Sequence, residues 1–156
     1  MPHWRADGEI YYLTFKHRRE LNEDERNILL KQLLSPHGRK WDLMLVCVLP
    51  EVTELLFTVM EARDGEVYEL SEIVEKAKNK AGKYIIKASG ERFPPFYTES
   101  YDRIVRDEVE LDERWNEILE SPVRLELCED PEEYSSLWVT DSPEAIGESE
   151  SPDESE

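Results

Sequence analysis

Leu43-Met44-Leu45-Val46-Cys47-Val48-Leu49-Pro50-Glu51-Val52-Thr53-Glu54-Leu55-Leu56-Phe57-Thr58-Val59-Met60 is the stretch that decides the fold. The unbroken apolar run 43–49 is too short for a good isolated helix and rich enough in Leu and Val for a central strand. Pro50 breaks the run, strand-like composition resumes at Val52 and continues to Met60, and the two segments are expected to pair antiparallel as a hairpin. On the N-terminal side, residues 8–18 set Ile10, Tyr12 and Thr14 against Tyr11, Leu13 and Phe15, a first strand expected to be partly buried on both faces. Between the two, Asn22 with Glu25 three residues on has the pattern of a capping box ahead of Ile28, Leu29, Leu30, Leu33 and Leu34, and Ser35-Pro36-His37-Gly38 ends that helix.

C-terminal to the hairpin, Leu70, Ile73, Val74, Ala77, Ala81, Tyr84, Ile85 and Ala88 recur at helical spacing, with Gly90 placed to stop the helix. Tyr101 to Arg106 reads as a short fourth strand. Val109 to Glu120 reads as a third helix carrying Leu111, Trp115, Ile118 and Leu119 on one face. The order strand, helix, strand, strand, helix, strand defines an α+β, ferredoxin-like expectation: a four-stranded antiparallel sheet with helices on one face, plus an extra C-terminal helix. No internal repeat is visible.

A length of 156 residues suits one domain. No apolar run approaches the ~18 residues of a membrane span, and no secretory signal is visible, so a soluble, cytoplasmic protein is expected. Cys47 and Cys128 form no C-x-x-C and are expected to be ordinary buried thiols. The net charge of −18 opposes nucleic-acid binding by the chain as a whole. Seven of the acids lie beyond Thr140, in a stretch without Lys or Arg, and setting them aside leaves the rest strongly acidic. A domain over 1–138 and an acidic, disordered tail over 139–156 are expected, the tail serving as a solubiliser, a nucleic-acid mimic or a screen for nearby lysines. Those lysines are Lys76, Lys80, Lys83 and Lys87, stepping by four, three and four along one helix face. Such a row either tracks a phosphate backbone or is a solvated face.

Five blocks carry a resemblance: Pro2-His3-Trp4-Arg5, Gly8 to Phe15, Glu99 to Glu108, Ile118 to Val123, and Glu129 to Tyr134. In this order they resemble the REP-associated tyrosine transposases, the single-tyrosine branch of the HUH endonucleases, over residues 2 to 138. The resemblance implies a ferredoxin-like fold and an ancestry in DNA transposition, by enzymes that cut and rejoin single-stranded DNA near hairpins. The family places M-P-N-H-x-H on a central strand, where two residues separated by one project from the same face and their imidazoles hold a divalent ion such as Mg²⁺ or Mn²⁺. The matched residues here are Leu49 to Glu54. Val52 and Glu54 therefore stand at the histidine positions, and Glu117 stands at the nucleophilic tyrosine. Val52 has no ligand atom, Glu54 has one carboxylate, and a carboxylate at position 117 repels a phosphate.

On this reading there are no catalytic residues, no metal ligands and no cofactor. Val52 is expected in the core, and Glu54 as a solvated or edge charge. Glu51 and Glu54 are three apart and point to opposite faces unless a bulge follows Pro50. His3, His17 and His37 form no H-x-H pair and are expected at the surface or as capping residues. Tyr97 and Tyr101 are the nearest substitute tyrosines, Tyr101 being expected as a packed strand aromatic. The loop Phe93-Pro94-Pro95-Phe96-Tyr97 either packs onto the sheet or stacks bases. The resemblance nominates Arg5, Lys76, Lys80, Lys83, Lys87, Arg103 and Arg106 as DNA contacts.

The resulting expectation is a degenerate transposase-like protein, catalytically inactive, with retained binding of hairpin single-stranded DNA as an open property. One rival is a repurposed protein-interaction module that excludes DNA. The other is an active nuclease with a rebuilt carboxylate metal site and Tyr101 as nucleophile.

Overall fold

The computed structural model describes residues 9–60 and 69–140. Arg5, His3 and the acidic stretch from Asp141 onward lie outside the described residues. The chain forms β1 (Tyr11–Lys16), α1 (Glu23–Leu34), β2 (Trp41–Val48), β3 (Val52–Val59), α2 (Leu70–Ser89), β4 (Tyr101–Ile104), α3 (Glu108–Arg124), a short 3₁₀ turn (Pro131–Glu133) and β5 (Leu137–Val139). The sheet is antiparallel in the order β4-β1-β3-β2-β5.

The ferredoxin-like arrangement is present, with five strands rather than four. β5 was missed because three residues, Leu137-Trp138-Val139, give too short an alternation to register as a strand. It pairs with β2 through Leu45↔Val139 and Cys47↔Leu137, which carries the paired chain one residue past position 138. Tyr134 fixes the approach to this strand, its buried hydroxyl donating to Val48 O at 2.8 Å.

The sheet is covered on both sides. Leu13, Phe15, Leu55 and Phe57 pack with α1 and α2, through Leu29, Leu33, Ile73, Ala77 and Ile85. The opposite face, with Leu45, Cys47 and Leu56, packs under α3 through Leu111, Trp115 and Ile118. Both faces of β1 and of the hairpin are therefore occupied, as their near-continuous apolar sequences require. A register shift between Leu43 and Leu45 puts Met44 and Leu45 together on the α3 side.

The helix ends follow their sequence signals. Asn22 Oδ1 accepts from Glu25 N at 2.9 Å, and Glu25 Oε1 accepts from Asn22 N at 3.0 Å, completing the capping box. Gly90 ends α2 at φ 78°, its N–H donating to Ile86 O at 2.8 Å. Two expectations on α2 are corrected: Tyr84 is 59% exposed and Ala88 is exposed as well, while a buried position within the stripe belongs to Lys78. α3 runs on through Pro122 to Arg124, four residues beyond the expected end.

Candidate functional site

Val52 and Glu54 sit on β3, the middle strand of the sheet, facing α3. Val52 is half-buried against the apolar cluster there, in agreement with its expected core role. Glu54 is neither a solvated nor an edge charge. Oε2 accepts from the Tyr12 hydroxyl at 3.2 Å, and Oε1 lies 3.3 Å from Ser121 Oγ. Ser121 is fully buried and also back-bonds Glu117 O at 2.7 Å, while Arg124 Nη2 donates to its oxygen at 3.0 Å. The Arg114 guanidinium covers the Tyr12 ring at 4.5 Å. Burial, and next the Glu54 charge, push the Tyr12 hydroxyl up to about 12, so it stays a donor across the ordinary pH range. The space between β3 and α3 is thus held by a polar network that ties helix to sheet.

Glu51 does not join it. It is exposed in the Pro50 turn, where its carbonyl accepts from His17 N at 2.9 Å. Among the described residues no three His, Cys, Asp or Glu side chains converge as metal ligands would. Glu117 points outward from α3, its side chain 62% exposed and 3.2 Å from Arg114. Tyr101 is 68% exposed on β4, the outermost described strand on its side of the sheet, which corrects the packed aromatic expected there; all four residues of that strand are exposed. Strand register places Tyr101, Thr14, Glu54 and Cys47 in one row across the sheet.

Of the two described histidines, His17 departs from the surface or capping role expected of it. His17 is buried, its Nδ1–H donating to Pro50 O at 2.8 Å and its Nε2 accepting from the Thr53 hydroxyl at 2.8 Å. Burial lowers it to about 4, and the Lys78 charge adds to that, so it is a neutral structural group. His37 accepts from Leu43 N at 2.9 Å and meets the Trp138 ring edge-on. Cys47 is buried as expected and its thiol is pushed well up by burial; Cys128 is half-buried.

The nominated cations fall on two separate surfaces. Arg103 and Arg106 belong to the α3 side, paired with Glu110 at 2.8 and 3.4 Å. Lys76, Lys80, Lys83 and Lys87 are exposed on α2, the opposite layer, and none has an ion-pair partner among the described residues. Lys76 and Lys80 share a groove with Arg39 and Lys40, at the C-terminal end of α1.

A further group was not foreseen. Lys78 Nζ is buried over the Phe15 ring at 4.5 Å and donates to the Tyr97, Thr98 and Glu99 carbonyls at 2.9, 3.4 and 3.3 Å. The signal was present: position 78 lies four beyond Val74 and three before Ala81, inside the apolar stripe. Its long aliphatic stem can occupy a core position while the amine reaches out to the carbonyls of a loop.

These elements define a transposase-like fold within the ferredoxin-like α+β class. The particular likeness is to a solved structure of a REP-associated tyrosine transposase bound to a REP hairpin. It has a TM-score of 0.62 at 12% sequence identity and covers 88% of this chain and 80% of that one. A transposase candidate from Deinococcus radiodurans R1 is also similar, with a TM-score of 0.48 at 14% identity over 74% of this chain and 95% of that chain. No protein-family model and no curated protein matches the sequence.

Proposed function

We propose that the chain is a transposase-related protein that has lost strand cleavage and binds single-stranded DNA near hairpins through the α2 layer. The observation that carries this reading is the state of the four α2 lysines. In a chain with 37 acids and a net charge of −18, Arg19, Arg103, Arg106 and Arg114 are each matched by a glutamate, whereas Lys76, Lys80, Lys83 and Lys87 face solvent without one among the described residues. Unneutralised cations in a row are what a phosphate backbone requires for counterion release. The transposase-like fold supports a nucleic-acid ligand, since its structural neighbour holds a REP hairpin. Loss of cleavage is supported by Val52, Glu54 and Glu117 at the family's catalytic positions, and by the Tyr12–Glu54–Ser121 network between β3 and α3.

The test is a labelled hairpin with a single-stranded flank, incubated with the protein with and without Mg²⁺ or Mn²⁺ across a salt series, and resolved on native and denaturing gels. Salt-sensitive binding with intact strands and no covalent adduct is expected. Metal-dependent cutting abolished by Tyr101→Phe would establish the nuclease reading instead. A second reading is favoured by β4, whose four residues are all exposed, with Tyr101 and Ile104 among them. An uncovered edge strand offers a partner protein a place to pair. Partner binding insensitive to salt, together with no retention of DNA, would support it.

A further inference from the structure

Deepening the nucleic-acid reading, on which it rests, we infer that the α2 layer carries a single-strand track in which lysines hold phosphates and the Phe93–Tyr97 loop stacks the bases. The loop is fixed to α2 at several points. Phe96 is buried edge-on to Phe15 and His17. Pro94 packs against Gly82, where a Cβ would come within 2.9 Å of the proline Cβ. Lys78 gathers the three carbonyls that follow, Arg18 N donates to Pro95 O at 2.7 Å, and Tyr97 N donates to Lys16 O at 3.3 Å.

A loop so well anchored by one aromatic nevertheless leaves its other two outside. Phe93 is 66% and Tyr97 43% exposed, and the Arg18 guanidinium lies over the Tyr97 ring at 5.4 Å. Rigid aromatic faces in solvent with a cation beside them suit base stacking, because every base offers a π-face and the ordering cost has already been met in folding. The surface is continuous with the lysines. Asn79 and Glu75 line both the cleft under Phe93 and Tyr97 and the neighbouring cleft of Lys76, Lys80 and Lys83, and Lys76 and Lys80 also line the Arg39 groove. Cationic groove, lysine row and aromatic faces therefore follow one another across α2. Glu72 lines the lysine cleft, and Glu75 stands with Asn79 at the junction of the two clefts, so a bound strand passes that carboxylate between the lysines and the aromatic faces. A paired duplex buries its base faces, so this order of chemistry selects an unpaired strand.

The experiment uses the full chain and fluorescence anisotropy with labelled oligo(dT), a blunt duplex of equal length, and the flanked hairpin, over a salt series. The unmodified protein is expected to prefer oligo(dT) to duplex. Phe93→Ala with Tyr97→Ala is expected to weaken oligo(dT) binding on the order of ten-fold while leaving the salt slope unchanged. Lys80→Gln with Lys83→Gln is expected to reduce that slope by about 1.4, at about 0.7 per phosphate released from a single strand. All four positions are exposed, and thermal melts of the variants serve as the check that they fold. Duplex bound as tightly as single strand, or losses confined to Arg103→Gln and Arg106→Gln, would overturn the track while leaving hairpin binding in place. No retention of any oligonucleotide would remove both.

Discussion

His17 shows how one residue read as a surface group can set a property of the whole protein. The fold holds it neutral, at about 4 against an ordinary 6.5, so its contribution is complete above pH 6.5 and is lost as pH falls toward 4. A shift of that size corresponds to at most about 3 kcal/mol. Unfolding midpoints in urea should therefore drop across pH 6.5 to 4, and His17→Gln should flatten that window while lowering stability at pH 7; an unchanged slope in the variant would assign the acid sensitivity elsewhere. Arg19 produces a second, lower window. Its guanidinium bonds hold Glu91 at about 2 and draw Glu25 below its ordinary 4.5, so the stability they add is present above pH 4.5 and lost as pH falls toward 2. Of the candidate site, the placement of Val52 and Glu54 on a central strand was legible in the sequence, because Pro50 separates two apolar runs long enough to pair; their match to a transposase's histidine positions, and that of Glu117 to its tyrosine, is what the resemblance implies. The partners of Glu54 were not, since Tyr12 and Ser121 lie 42 and 67 residues away and meet it only through the packing of β1 and α3.

At the scale of the element, α2 depends on small residues where the Phe93–Tyr97 loop crosses it. Gly82→Ala gains about 1 kcal/mol of helix propensity but forces a methyl against Pro94, where overpacking costs about 1–3 kcal/mol. A net destabilisation of up to about 2 kcal/mol is expected by chemical denaturation. Gly90→Ala meets no neighbour within 4 Å and is expected to lose about 1–2 kcal/mol purely from its left-handed backbone. Lys78→Met should retain the buried stem and lose the amine's bonds, costing on the order of 1 kcal/mol and releasing the 97–99 backbone to faster amide exchange. The long elements were readable because their periods persist over 8 to 20 residues. β5 was not, because a three-residue strand exists only by virtue of the β2 edge it pairs with.

At the scale of the molecule, charge and topology meet at one end of the sheet. β5 runs antiparallel to β2, with Val139 opposite Leu45 and Thr140 N donating to Met44 O at 3.0 Å. The described chain therefore ends heading toward the Trp41 end of β2, which adjoins Arg39 and Lys40 and hence the groove shared with Lys76 and Lys80. Seven acids follow in sequence. Charges act over a Debye length of about 8 Å at physiological salt and about 30 Å at 0.01 M, so acids that follow Thr140 in sequence are expected to oppose a bound phosphate most at low ionic strength. Removing residues 141–156 should tighten oligo(dT) binding several-fold at low salt, with the gain vanishing toward 1 M, where screening falls to about 3 Å. The Lys80→Gln, Lys83→Gln variant should gain less from the same truncation, because the acids and the phosphates then compete for fewer cations. Equal gains in both backgrounds would mean that the seven acids act only through net charge, without reference to where the chain leaves the sheet.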